Sequence, residues 1–337
     1  MRSPASTMAV SPNMGLSGVQ ECSTQRRLGA RPVMLVARRE LALMLRGRAV
    51  RATFALLLAV AWLPPLLLSL RGGTLRLASF HESVALALAF GEIALPLAGL
   101  LAGADLLAGE CEDGTLIPLI ALPLSRAACL FGKFAGRAVP VVCGFVAAFG
   151  SAALVIGALH GFDDFADYAA VGGAGLVLCL ASAALGAALG RAGRGRTRAF
   201  GAALVAWIVM VFVLDAAILA AVVAFAPSPP EEIGIHGYGE MSAQMEMMKL
   251  HSMDDDAGPA RRPLEAGYGA IQWVMALDPV DLFRLTVLSG SPTLAARARA
   301  GVGDVPLGWM VLGGAWLAWL VLPLGVAYRR FRRADLR

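Results

Sequence analysis

The sequence predicts an all-α polytopic membrane protein with six transmembrane helices. Hydrophobic residues make up 58% of the 337 residues and charged residues 16%, whereas soluble domains average about 45–50% and about 25%. The apolar residues form long uninterrupted runs, and the mean hydropathy is +0.69. A chain in lipid must satisfy its backbone polar groups internally, so it forms either helices or a closed barrel. Runs that are continuous, rather than alternating with polar residues, indicate helices.

Six apolar runs are long enough to cross a membrane, which takes about 20 residues of helix. They cover residues 52–70, 84–107, 134–159, 169–190, 199–226 and 306–327. In the fourth run, small residues recur at about one-turn spacing, which permits close packing against a neighbouring helix. These small residues are Gly172, Gly175, Ala183, Gly186 and Gly190.

The basic residues orient these spans. If both termini are cytoplasmic, the inner segments hold 21 Lys and Arg residues and the outer segments hold 8. Because Lys and Arg concentrate on the cytoplasmic side, the sequence predicts cytoplasmic termini in a bacterial inner membrane. The predicted regions are a disordered tail (1–30), an amphipathic interfacial helix (31–51), five spans (52–226), a periplasmic subdomain of short helices (227–305), and the last span with a basic tail (306–337). For 31–51, a charged flank that merely orients the first span is the alternative.

The second and third spans are joined by a polar stretch, residues 108–126, which we call the coupling segment. Asp113 or Thr115 can cap a short helix there by accepting a backbone hydrogen bond, and Pro123 ends that helix. Three apolar residues then share one face at helical spacing: Leu116, Leu119 and Ile120. We expect this face to dock into a groove on a partner protein. A helix lying among lipid headgroups is the alternative.

Two acidic residues, Glu92 and Asp215, lie well inside the second and fifth spans. A charge at the bilayer centre costs about 2.5–3.5 kcal/mol on insertion scales, so both side chains are expected to face the bundle interior. There they form either a conformational lock or polar pathway, or one structural hydrogen bond apiece. Asp105, near the inner end of the second span, is predicted to be a solvated or hinge residue.

The predicted periplasmic subdomain contains a run rich in Met and His. Thioethers select Cu(I), and imidazole also suits copper. The run is therefore a candidate copper site, made of His236, Met241, Met245, Met247, Met248 and His251. The alternative is a flexible Met-rich surface that packs on a partner or on lipid.

The coupling segment and the start of the third span also carry a motif. Residues 110–116 read ECEDGTL, 122–126 read LPLSR and 132–134 read GKF. This pattern resembles the E-x-E-x-GTL, P-[VL]-SR and GK-[FL] signature of the ABC-2 type (type V exporter-like) transporter permeases. The resemblance implies that the segment docks on a separate ATPase. It assigns this contact to Glu110, Glu112, Asp113, Gly114, Thr115, Leu116, Leu119, Ile120, Pro123, Ser125 and Arg126.

Within that family, the run LDPVDLFR at 277–284 is similar to the nitrous-oxide-reductase maturation permeases, which usually have Asn or Ser where this chain has Asp278. The resemblance implies a permease pair bound to two ATPase subunits. The pair is either a homodimer of this chain or this chain with a homologous partner. The resemblance also implies a role in delivering copper or sulfur for periplasmic metalloenzyme maturation. Four residues are predicted to contact a periplasmic partner protein: Asp278, Pro279, Asp281 and Arg284.

An ATPase within this chain would need a P-loop, GxxxxGK[ST]. Gly132-Lys133 is followed by Phe134 and lacks the earlier Gly, so we predict a non-enzymatic subunit without a cofactor, whose partner binds ATP. An intramembrane enzyme would need convergent groups such as HExxH, and the predicted spans contain no internal His. The remaining alternatives are an ABC-2 exporter of lipid, polysaccharide or drug, and a membrane anchor or sensor without ATP coupling. The expected surroundings are lipid, with no nucleic acid.

Overall fold

The computed structural model describes residues 48–71, 77–112, 126–190, 195–225, 275–291 and 308–333. This part of the chain is helical, and the predicted all-α class is confirmed. A π turn, Val209–Val213, joins the helices Arg196–Ile208 and Leu214–Phe225 into one continuous span. The helices are α1 (Arg48–Arg71), α2 (Phe80–Glu112), α3 (Arg126–His160), α4 (Phe165–Leu189), α5 (Arg196–Ile208), α6 (Leu214–Phe225), α7 (Pro279–Gly290) and α8 (Trp309–Arg333).

Six stretches of helix are long and apolar enough to cross a membrane, as predicted. They are Arg51–Leu70, Phe80–Leu106, Ala127–His160, Phe165–Leu189, Arg196–Ile218 and Trp309–Arg332. The start of the third span differs from the prediction. Helix α3 begins at Arg126, whereas the predicted span begins at 134. Lys133 and Arg137 interrupt the apolar run, but both side chains are buried within the bundle. The helix therefore continues through them.

Consecutive spans run in opposite directions, so the bundle has two ends. We name them the Phe80 end, where α2 and α4 begin, and the Glu112 end, where α2 stops and α3 begins. At the Phe80 end, the Phe80 ring packs on Tyr168 with ring centroids 5.3 Å apart. His160 Nε2 lies 2.6 Å from the carbonyl oxygen of Leu77. That the Glu112 end is cytoplasmic stays a prediction.

The closest helix packing is between α2 and α4. A Cβ atom at Gly103 would collide with the backbone carbonyl of Ala183, and one at Gly186 would collide with the backbone carbonyl of Leu100. Side chains larger than hydrogen at these positions would force the two helices apart. The prediction that small residues of the fourth span permit close packing is confirmed at Gly186 and at Gly190.

The short helix α7 belongs to the stretch that we predicted as a periplasmic subdomain. In the structure it packs inside the bundle, where Leu282 and Phe283 join the core formed by the spans. Ser291, just after α7, donates a hydrogen bond of 2.7 Å to Asp167 in the first turn of α4. Twelve residues of helix extend about 18 Å. Helix α7 therefore runs from the bundle interior to the Phe80 end without crossing the bundle.

The α5–α6 span is the least buried of the six, and the α4 span is the most buried. Large apolar side chains of the α5–α6 span point away from the rest of the chain, among them Leu204, Val205, Ile208, Phe212 and Val213. Trp207 makes a polar contact with α2, in which its Nε1–H donates to the carbonyl oxygen of Ile93 at 2.8 Å. On the inner face of the span, Ala199 and Ala203 pack with Leu100 and Ala104 of α2, so the span is held on one side and open on the other.

Candidate functional site

Four charged residues meet in the middle of the bundle. The Arg284 guanidinium donates to both carboxylate oxygens of Glu92, through Nε at 2.7 Å and Nη2 at 2.8 Å. Its Nη1 donates to Asp215 Oδ1 and to Asp281 Oδ1, each at 2.7 Å. We call these four residues the Arg284 cluster. Charge-assisted, two-pronged bonds of this kind combine strength with a fixed orientation.

The three carboxylates of the Arg284 cluster come from three helices. Glu92 lies in the middle of α2, Asp281 lies in the first turn of α7, and Asp215 is the second residue of α6. A π turn precedes Asp215, and its i→i+5 bonds add a residue to the turn and are frequent at functional sites. This extra residue changes which face of the span carries Asp215. The acids predicted to face the bundle interior therefore share one cation.

Helix α7 starts with a well-formed cap. Asp278 adopts extended backbone angles, and its Oδ1 accepts a hydrogen bond from the Val280 N–H at 3.3 Å. Pro279 follows at the first helical position, where its missing N–H is not needed. Asp caps helices about as well as Asn or Ser, so the departure from the resembled pattern at this position preserves the cap.

The buried position of α7 bears on the predicted contact with a periplasmic partner. Asp278 and Asp281 are each 1% exposed, and Pro279 is also buried. Arg284 uses its nitrogens on carboxylates of the same chain. In this arrangement Asp278, Pro279 and Asp281 are enclosed by the chain's own helices, and Arg284, which is 31% exposed, neutralises acids of the same chain. The first three therefore do not form a surface that a soluble partner reaches.

A second charged cluster lies near the Glu112 end. Asp105 accepts a hydrogen bond from Arg196 Nε at 2.9 Å and pairs with Arg137 Nη1 at 3.4 Å. The same Nη1 donates to the carbonyl oxygen of Ala102 at 2.8 Å. We call Asp105, Arg137 and Arg196 the Asp105 cluster. The prediction of a solvated or hinge Asp105 is wrong, because the residue is 8% exposed and ties α2 to α3 and α5.

Sequence reasoning missed the Asp105 cluster, although a signal was present. An apolar run that contains Asp105 near its end requires a cation for that carboxylate, and the basic residues after the second and fourth spans are the nearest supply. Arg330 of α8 makes a related contact at the same end, because its Nη1 donates to the Ala188 carbonyl oxygen at 2.6 Å. Basic side chains thus hold several helices together there.

Most of the other predicted site residues lie outside the described residues. These are Asp113, Gly114, Thr115, Leu116, Leu119, Ile120, Pro123 and Ser125 of the coupling segment, and all of the Met and His residues of the candidate copper site. Glu110 and Glu112 lie in the last turn of α2 and Arg126 is the first residue of α3. Among the described ranges, no group of three or more His, Cys, Asp or Glu is arranged to hold a metal ion.

Comparison with known proteins places the chain in a family. A family model described as "ABC-2 family transporter protein" matches residues 34–336. The chain belongs to the ABC-2 transporter family. It is a permease subunit with six apolar helices, and membership in an ABC family implies an ATPase partner. The resemblance suggested by the ECEDGTL and LPLSR motifs is confirmed.

Two curated relatives extend over almost the whole ABC-2 permease chain. The "Probable ABC transporter permease protein NosY" of Pseudomonas aeruginosa is 30% identical over 313 residues, covering 90% of this chain and 99% of the relative. The protein of the same name from Stutzerimonas stutzeri is 28% identical over 308 residues, covering 88% and 97%. The relatives therefore agree with this chain in length as well as in family.

Proposed function

We propose that this permease transmits the work of a separate ATPase across the inner membrane, from a cytoplasmic coupling segment to the outer side. The observation that carries the proposal is that one helix, α2, belongs to both charged clusters. It is 33 residues long, about 50 Å, and leads directly into the coupling segment. Asp105 lies near its Glu112 end and Glu92 lies in its middle. A displacement at the coupling segment would therefore move both clusters.

In this mechanism the two clusters transfer the movement of α2 to other helices. The Asp105 cluster connects α2 to α3 and α5, and the Arg284 cluster connects it to α6 and α7. Helix α7 is the output, because it leads into the segments that we predict to lie outside the membrane. ATP moves such an equilibrium only if nucleotide binds one state of the complex more tightly than the other.

For the substrate, we propose a role in nitrous oxide reductase maturation, with copper or sulfur as the delivered element. Support comes from the similarity of residues 277–284 to permeases of that class and from the two relatives named NosY. Copper would then be cargo, and the Met and His residues of 236–251 are the candidates to bind it. Export of lipid, polysaccharide or drug is the alternative within the family.

We further propose that two copies assemble through the α5–α6 span. It is the least buried span, and its large apolar side chains face outward. Packing of a second copy on this face would enclose Asp215, whose side chain is 44% exposed in the single chain. A symmetric pair is the commonest form of oligomer, and it would present two coupling segments to two ATPase subunits.

The ATPase contact is tested by co-purification with the partner ATPase. The wild-type permease should retain the ATPase in detergent. Leu119→Asp places a charge on the predicted apolar face and should reduce the retained ATPase at least about tenfold, which corresponds to about 1.4 kcal/mol of binding free energy. Ile117→Asp, on another side of the predicted helix, is the matched control and should retain it. A Leu119→Asp complex as abundant as wild type would refute the assigned contact.

The maturation role has its own test. In a denitrifying bacterium that lacks its NosY-type permease, this chain expressed with its ATPase should restore the copper content and activity of nitrous oxide reductase. The Leu119→Asp variant, measured at equal membrane abundance, should not restore them. If the wild-type complex hydrolyses ATP but restores neither the copper content nor the activity, the maturation role is wrong and the other export substrates should be tested.

A further inference from the structure

The start of α7 contains two enclosed carboxyl groups with unused oxygens. One oxygen of Asp278 accepts the Val280 N–H, and one oxygen of Asp281 accepts from Arg284. The Oδ2 atom of each residue has no hydrogen-bond partner among the described residues, although each residue is 1% exposed. Buried polar atoms are nearly always paired, so these two oxygens require an explanation.

The charges around these oxygens do not balance. Asp278 lies within electrostatic range of Asp281, Asp215 and Arg284, and Glu92 completes the group. Four ionised carboxylates and one guanidinium would give a formal charge of −3. Glu92 holds Arg284 through two bonds, and Asp215 and Asp281 hold it through one each. Asp278 is the carboxyl that bonds to no cation among the described residues, and a buried carboxyl in that position takes up a proton instead of remaining charged.

The other helices that pack on α7 bring little charge to this level. On α4, Asp167 bonds to Ser291 at the opposite end of α7, Tyr168 packs among aromatic rings at the Phe80 end, and Cys179 faces α2. From α8, Trp316 donates to the Thr286 hydroxyl, and the Arg residues of α8 lie in its last turns. Within the described ranges, the charged groups that act on Asp278 are therefore Asp281, Asp215 and Arg284, together with the Glu92 that bonds to Arg284.

We propose that Asp278 and Asp281 together bind one exchangeable proton, and that this proton keeps α7 packed in the bundle. The two residues are three positions apart at the start of one helix, so a proton carried by one and donated toward the other would use both Oδ2 atoms. If α7 leaves its place, both carboxyls reach water and the proton is released. The packed state thus binds the proton more tightly than the released state.

The sign of the pH effect follows from this difference in proton binding. Protons favour the state that binds them, so α7 is most firmly packed at low pH and loosens as pH rises. For a single proton, the equilibrium constant for packing falls by at most about tenfold per pH unit. The pH on the side reached by α7 would then adjust how readily this helix moves, whatever drives the movement.

Hydrogen–deuterium exchange of the full chain in lipid nanodiscs tests this proposal. After correction for the intrinsic exchange rate, amides of α7 in the wild type should lose protection with rising pH, by up to about tenfold per unit. Asp278→Asn keeps the capping oxygen and supplies hydrogens of its own, so its α7 should stay protected across the same range. Asp167→Asn, which changes the acid at the other end of α7, should retain the wild-type pH dependence.

Infrared spectroscopy of the wild type gives a second measurement that needs no variant to fold. A protonated buried carboxyl should show its C=O stretch at neutral pH and lose it at alkaline pH. The proposal is overturned if α7 protection in the wild type is independent of pH, if Asp278→Asn shows the same pH dependence, or if protection follows Na⁺ or K⁺ concentration instead. Neither measurement involves the ATPase, so failure here leaves the ATPase coupling intact, and the reverse also holds.

Discussion

The two charged clusters of α2 have opposite compositions. The Arg284 cluster contains one guanidinium and three carboxylates, whereas the Asp105 cluster contains one carboxylate and two guanidiniums. At the Glu112 end the surplus is positive, which agrees with a cytoplasmic location, and Arg196 is 40% exposed there. In the middle of the bundle the surplus is negative and has to be neutralised by the protein itself. Ion pairs at the Glu112 end can therefore leave a charge to water, whereas those in the middle of the bundle need a partner within the protein.

The clusters nevertheless share a structural task. Asp215 and Arg196 both lie in the α5–α6 span. Arg196 bonds directly to Asp105 of α2, and Asp215 bonds to Arg284, which also bonds to Glu92 of α2. Apart from these pairs, Trp207 donates to the Ile93 carbonyl oxygen of α2. These polar contacts add to apolar packing, because Ala199 and Ala203 of α5 pack with Leu100 and Ala104 of α2. In contrast, α4 is positioned against α2 by backbone-to-backbone packing at glycines.

The largest expected effect comes from removing the cation of the Arg284 cluster. Arg284→Met leaves Glu92 and Asp281 buried without a countercharge, and breaking a buried pair from one side costs about 3–5 kcal/mol. The partial exposure of Arg284 places the expected loss near the lower limit. The apparent midpoint of thermal unfolding in detergent, followed by Trp fluorescence, measures it. Arg284→Lys is the control and should lose less, because it keeps the charge but not the two-pronged geometry.

An Arg284→Met variant that unfolds at the wild-type temperature would show that the Arg284 cluster does not stabilise the fold. It would mean that packing of α7 against α4 and α8 holds the helix without help from the ion pairs. If Arg284→Met does lower the midpoint, we expect the double variant Glu92→Gln, Arg284→Met to restore it. That result would assign most of the loss to the uncompensated Glu92 carboxylate rather than to missing contacts of the Arg side chain.

A smaller effect is expected at the other cluster. In Asp105→Asn, Arg137 keeps its bond to the Ala102 carbonyl oxygen, and the half-exposed Arg196 turns to water. Only one charged hydrogen bond is lost without replacement, at about 2 kcal/mol. The same thermal measurement applies, and Asp163→Asn, at an exposed acid, should leave the midpoint unchanged. A loss from Asp105→Asn equal to that of Arg284→Met would show that the sign of the surplus charge does not matter.

The spans could be predicted from sequence because lipid imposes one rule on every residue of a crossing segment. Long apolar runs, small residues on α4 and acids that face inward all follow from that rule. The ends of the spans are harder to predict where a helix contains charged residues. Lys133 and Arg137 look like residues outside the membrane until the helices are assembled, when both become buried. Their positions depend on tertiary contacts rather than on local periodicity.

Helix α7 was misplaced for a related reason. Its sequence is too short to span and is interrupted by charges, which is typical of a surface helix. The information that places it inside is distributed along the chain, because Arg284 bonds to Glu92 and Asp215, which lie 192 and 69 positions away. The available signal was chemical: two acids inside spans need a cation, and Arg284 lies in a stretch that is apolar apart from Asp278 and Asp281. Matching the two requires pairing residues across the sequence.

The smallest effect tests whether α7 is held by charge alone. The Thr286 hydroxyl accepts the Trp316 Nε1–H at 2.9 Å and itself donates to the Leu282 carbonyl oxygen. Thr286→Val preserves the side-chain shape but leaves the indole N–H unpaired, so we expect a loss of about 1 kcal/mol in the same thermal measurement. Ser289→Ala is the control, because its hydroxyl donates to the Leu285 carbonyl oxygen of the same helix, and it should be nearly neutral. If both variants match the wild type, the Thr286–Trp316 contact with α8 contributes nothing measurable, and the Arg284 cluster and the Ser291–Asp167 hydrogen bond account for the polar attachment of α7.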